Sequence, residues 1–157
     1  MSKKHEGDCR TSEYWDARVK ASANRDDMIF IDGRRQEFWK RVWEQLDAWK
    51  NHEVVDVACG FGKFSKAFPP TRYRGIDFSA EMLQIARVEN PGVVFDQVDA
   101  KAVQSFPKVD VIFEVNSLKS LGMTAEEFIN KFRPYARVAV ACLEADRFTV
   151  EQVYPKG

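Results

Sequence analysis

Apolar residues fall along this chain in two alternating rhythms. Short, nearly unbroken apolar runs at 54–57, 73–77, 93–95, 109–113 and 137–143 read as strands. The run at 109–113, apolar but for Asp110, has the character of a central parallel strand covered on both faces. Between the runs, apolar positions recur every three or four residues. Phe38, Trp39, Val42, Trp43, Leu46 and Trp49 form one helical stripe, led in by Asp32-Gly33, and that spacing predicts sheet-covering core, not an aromatic binding box. Met82, Leu83, Ile85, Ala86 and Val88 give the buried side of a second helix, capped by Ser79. Thr124-x-x-Glu127 is a capping box for a third over 125–132, which Pro134 closes. Shorter elements are a helix over 63–68 stopped by Pro69-Pro70, an aromatic-led helix over 14–19 behind Thr11-Ser12-Glu13, and an edge strand over 148–154. This alternation predicts an α/β fold: a doubly wound, mostly parallel sheet with helices on both faces.

In such a sheet, ligands bind outside the carboxyl ends of the strands. Asp56, Asp77, Asp99 and Glu114 all fall at or just beyond such ends, whereas His52 enters the first strand and belongs to the opposite edge. The first strand turns through Ala58-Cys59-Gly60-Phe61-Gly62 into the next helix. Two residues without a Cβ let the backbone approach a small molecule, and a helix start offers unpaired N–H groups. A dinucleotide fingerprint needs a slim loop with a small third residue, but Phe64 and Ser65 stand there. A carboxylate at Asp56 repels a pyrophosphate and attracts an ammonium or sulfonium. The turn therefore favours a cationic nucleoside, and Asp77 is placed to accept hydrogen bonds from ribose hydroxyls.

Asp56-x-Ala58-x-Gly60-x-Gly62 resembles the first motif of class I S-adenosylmethionine (SAM)-dependent methyltransferases, with Ala58 in place of the first glycine. The resemblance covers roughly residues 14–143. It implies a Rossmann-like methyltransferase fold with SAM as cofactor. It implies too that Asp56, Ala58, Cys59, Gly60 and Gly62 form the cofactor turn, that Asp77 holds the ribose, and that Phe78 and Met82 flank the adenine. Asp99 and the backbone of Ala100 would serve the adenine edge, the acid-plus-small-residue pattern preferring Asp99 to Asp96, and Glu114 would lie near the methionine part. Tyr14 and Trp15 resemble the lid that opens many small members, so residues 1–22 are read as an arm over a core spanning 54–143. Two features depart from the family. No Pro-Gly-Gly turn precedes the last long strand, and the residues after Glu144 leave little room for the usual final helix and hairpin, so the fold is expected to be trimmed.

Catalysis of methyl transfer asks mainly for alignment, plus a base where the nucleophile carries a proton. Glu114, Asn116, His5 and Tyr14 are candidates and no spacing singles one out, so the catalytic residue stays unassigned. A SAM-binding regulatory or partner-activating protein without transfer activity is the rival reading. No Asn-Pro-Pro-Tyr or Asp-Pro-Pro-Tyr follows the fourth strand, which argues against amino-directed DNA methylation.

Composition narrows partners. The 157 residues carry 24 acidic and 24 basic side chains, which leaves no strong nucleic-acid footprint and points to a small-molecule methyl acceptor. Absence of a long apolar run predicts a cytoplasmic, non-membrane protein of one domain over 1–157. Three cysteines without ligand spacing predict neither disulfide nor metal site. A trimmed sheet leaves an open edge, and a second copy of the chain is the natural cover, so a homo-oligomer is a candidate assembly.

Overall fold

Side chains alternate across a strand, so the first strand, β1 (Val54–Val57), sends Val54 to one face of the sheet and Val55 and Val57 to the other. The structure is a computed structural model and describes residues 7–21 and 36–153, with the backbone alone at Lys20 and Ala21. Asp32-Gly33, His5 and Tyr154 lie outside the described residues.

Two helices, α1 (Ser12–Ala21) and α2 (Gln36–Ala48), precede β1. Then follow β2 (Tyr73–Asp77), α3 (Ala80–Glu89), β3 (Val94–Gln97), β4 (Val109–Val115), α4 (Leu118–Leu121), α5 (Ala125–Phe132), β5 (Ala136–Leu143) and β6 (Phe148–Gln152). The six strands are ordered β3-β2-β1-β4-β5-β6, all parallel except β6, which runs antiparallel to β5. Val42 and Leu46 of α2 and Leu83 and Ala86 of α3 bury one face with Val54, Phe113 and Ala141. Phe128, Ile129 and Phe132 of α5 bury the other with Val55, Ile112 and Val140. The doubly wound α/β sheet expected from the apolar rhythms is the one observed.

Capping agrees as well. Ser79 accepts from the Met82 N–H at 3.2 Å, Thr124 and Glu127 form the reciprocal box, and the Thr11 hydroxyl accepts from the Tyr14 N–H at 3.2 Å. At the opposite edge His52 and the Glu53 N–H both lie against Asp110, as expected of residues entering strands.

Two elements differ from the sequence reading. Only six residues separate Gly62 from Pro69, and they close into a 3-10 helix (Lys63–Ala67) rather than an α-helix. Strand β4 runs two residues further, through Val115, which takes Glu114 inside the sheet. Among the described residues no helix is long and apolar enough to cross a membrane.

Candidate functional site

Strand order reverses between β1 and β4, and the crevice there holds a cleft of about 160 Å³. It is lined by Ala58, Cys59, Gly60, Asp77, Phe78 and Met82, by Trp39, Lys63 and Phe64, and by Val115, Asn116 and Ser117, with Trp15 of α1 also on its wall. A small second hollow continues from Ala58, Asp77 and Phe78 to Val98, Asp99 and Ala100.

Asp77 ties this part of the cleft together. Its Oδ2 accepts from the Gly60 N–H and its Oδ1 from the Ser79 N–H, each at 2.9 Å. Burial pushes its pKa up to about 6, against the lowering effect of those N–H groups. A carboxylate has about four acceptor positions, so two remain for ligand hydroxyls.

The glycines divide by what a side chain would meet. A Cβ on Gly60 would find only the Met82 sulfur at 3.9 Å, so this glycine leaves open space in the cleft. At Gly62 a Cβ would strike the Phe95 ring at 2.5 Å, and at Gly75 the Cys59 sulfur at 2.7 Å. Gly62 is a packing glycine and lies outside the cleft lining. Ala58 has φ 60°, a left-handed conformation that costs an L-residue about 1–2 kcal/mol. Asn116, across the cleft at the end of β4, has φ 50° and is held there by its Oδ1, which accepts from the Ala145 N–H at 3.0 Å. Strained backbone at both strand ends marks the cleft as a place where geometry is imposed by its surroundings.

Several expected residues stand elsewhere. Asp56 is 1% exposed, accepts from the Tyr73 hydroxyl at 2.6 Å, and lies beneath the turn rather than in the cleft. Desolvation pushes its pKa up to about 7. Asp99 caps the short turn after β3 through the Lys101 N–H, at 3.0 Å, and reaches the second hollow with Ala100. Its competitor Asp96 is held by Arg74 at 2.6 Å.

Glu114 is fully buried and does not line the cleft. Side chains alternate, so its neighbour Val115 faces the cleft while Glu114 turns to Cys142 and Glu144. Its Oε2 accepts from the Ser117 N–H at 2.7 Å, whereas Oε1, like Oε2 of Glu144, meets no donor among the described residues other than the partner carboxyl of the Glu114–Glu144 pair. Desolvation first and Glu144 second hold Glu114 protonated well above the usual carboxylate range, so the pair shares a proton.

Sequence reasoning missed Lys63 and the cleft role of Trp39. Trp39 packs against the core, as its spacing predicts, and also lines the cleft, with the Lys63 ammonium 5.0 Å from its ring centroid. Asp16 of α1 was missed too. It accepts from the Ser79 hydroxyl and from the Glu81 N–H at 3.2 Å, pinning α1 onto the start of α3. Among the described residues no group of three or more His, Cys, Asp or Glu is arranged for a metal.

Residues 54–139 match the family model of the methyltransferase domain. The chain is 30% identical over 102 residues to a demethylmenaquinone methyltransferase of Chlorobaculum parvum, an alignment covering 60% of this chain and 42% of that protein. It is 41% identical over 64 residues to a trans-aconitate 2-methyltransferase of Azoarcus sp., covering 38% and 25%. The chain thus spans less than half the length of these curated relatives. Among solved structures, magnesium protoporphyrin IX methyltransferase of Synechocystis PCC 6803 with bound SAM superposes with a TM-score of 0.60, at 19% identity, over 89% of this chain and 77% of that one. A methyltransferase of Thiobacillus denitrificans in complex with S-adenosylhomocysteine gives 0.52 at 20% identity, over 65% and 47%. At such identities the likeness shows the fold alone.

Proposed function

Because the chain belongs to the methyltransferase domain family, we propose that it binds SAM in the cleft at the ends of β1, β2 and β4 and transfers its methyl group to an O, N or C nucleophile of a small-molecule acceptor. The carrying observation is the pairing of Asp77 with Gly60. A buried carboxylate with two free acceptor positions stands beside a glycine whose missing Cβ leaves the cleft open. Neither feature serves packing, and together they suit a ribose laid over a backbone turn.

In this reading Asp77 accepts from the ribose hydroxyls. Phe78 and Met82 bracket the base, and the hollow at Asp99 and Ala100 takes the adenine edge. The backbone of 58–60 supports the remainder, toward Asn116 and Ser117. Bound SAM supplies an already activated methyl group, so the chain's part is to orient the partners and exclude water. Trp15 and α1 do the latter from above the Phe61–Met82 cluster. Asp56, one layer below, fixes the β1–β2 floor through Tyr73.

Melting-temperature shifts test this. SAM and S-adenosylhomocysteine are expected to raise the melting temperature and oxidised nicotinamide dinucleotide to leave it unchanged. A shift with the dinucleotide alone would overturn the reading.

A further inference from the structure

The cleft wall carries a cation, Lys63. Lys63 Nζ lies 5.0 Å from the ring centroid of Trp39, 6.0 Å from Trp43 and 5.9 Å from Phe64. The Trp39 and Phe64 rings stack at 24°. Aromatic faces attract an ammonium and hold it in place. Among the described residues, however, no carboxylate pairs with Lys63. Burial, with repulsion from Lys66, holds its pKa below the ordinary lysine value, as for a charge lacking its counter-ion. A second polar group nearby is also unsatisfied: the buried Nε1 of Trp39 finds no hydrogen-bond acceptor among the described residues. Lys63, Trp39 and Phe64 all line the cleft.

We propose that Lys63, seated on Trp39, Trp43 and Phe64, anchors the methyl acceptor, and that the acceptor is an anion, a carboxylate carried on an apolar body. The inference rests on the function proposed above and adds the substrate class. Charge separates the acceptor from the cofactor as the anion's source. SAM carries one carboxylate against an ammonium and a sulfonium, a net positive charge that Lys63 repels as a whole, whereas an anionic acceptor meets unopposed attraction. Asp77 and Lys63 thus give the cleft lining one acidic and one basic group. The apolar wall of Phe64 and Val115 suits the body of such a molecule.

Calorimetric titration of the full chain and of its Lys63→Met and Lys63→Arg variants tests this. S-adenosylhomocysteine is titrated first. On the saturated protein, 2-naphthoate is then compared with its neutral amide, 2-naphthamide. The expected result is a preference of tenfold or more for naphthoate, lost in Lys63→Met and kept in Lys63→Arg, with S-adenosylhomocysteine affinity within threefold in all three proteins. Equal binding of acid and amide to the unmodified chain overturns the proposal. So does a tenfold loss of S-adenosylhomocysteine affinity in Lys63→Met with the naphthoate preference intact, which would give Lys63 to the cofactor's own carboxylate. Failure of S-adenosylhomocysteine to bind the unmodified chain sinks the cofactor reading separately, and the naphthoate preference is then read on the free protein.

Discussion

The Gly60 N–H donates to Oδ2 of Asp77 at 2.9 Å, joining the turn after β1 to the last residue of β2. The glycine that opens the cleft and the carboxylate that faces it are therefore one rigid unit. Asp77 sits with a pKa near 6 because burial outweighs the two N–H groups it accepts.

That value sets a pH dependence. A carboxyl that must be ionised to receive ribose hydroxyls is mostly protonated below about 6, so SAM affinity is expected to fall about tenfold from pH 7 to pH 5. Asp77→Asn is expected to bind weakly and with little change over that range. Titration calorimetry at pH 5, 6 and 7 measures both, and affinity that rises toward pH 5 would contradict the assignment.

Asp56 gives a stability prediction that runs the opposite way with pH. Its folded pKa is raised from 3.8 to about 7, so between those values the folded chain keeps a proton that the unfolded chain releases. Stability from this group is then greatest below about pH 4 and is lost as pH rises toward 7, by about 1–4 kcal/mol. Asp56→Asn still accepts from the Tyr73 hydroxyl but has no charge to bury, and should flatten the pH profile of denaturant unfolding. A profile as steep as the original would place the titration elsewhere.

The glycines are expected to respond differently. Gly62→Ala drives a Cβ into Phe95 at a left-handed φ of 74° and should destabilise the fold by about 1–3 kcal/mol. Gly60→Val carries the backbone cost without a collision, but its side chain enters the cleft, so the domain should fold and lose SAM binding. Thermal melts beside binding curves separate the two, and normal SAM binding by Gly60→Val would make that glycine structural only.

The helix α1 is expected to act as a lid. The cleft of about 160 Å³ falls short of the roughly 300 Å³ at which pockets for whole small molecules begin, and Trp15 forms part of its wall. Admission of a whole cofactor should therefore require α1 to lift from α3, where Asp16 holds it, and then to close over the bound ligand. Hydrogen exchange at residues 14–19 is expected to slow when SAM saturates the protein. Equal protection with and without SAM would make α1 ordinary packing.

What could be read from the sequence follows from which forces act locally. Apolar rhythm and caps such as Ser79 and Thr124 are short-range, and the sheet and its two faces match what they predict. Asp77 lines the cleft, where the crevice rule for strand ends puts it. Asp56 was misjudged because its partner is Tyr73, one strand over and unseen in any local pattern. Glu114 was misjudged because β4 continues past it, and alternation then turns it from the cleft. Trp39 fits a core stripe by spacing, and only the tertiary approach of Lys63, 24 positions later, gives it a second role.

Calorimetric titration of the full chain with SAM at pH 7.5 tests the central claim most directly. The account predicts saturable binding of one SAM per chain, competed by S-adenosylhomocysteine and weakened thirty- to a thousandfold by Asp77→Ala, about 2–4 kcal/mol. Absence of binding at millimolar SAM, or unchanged affinity in Asp77→Ala, would contradict it.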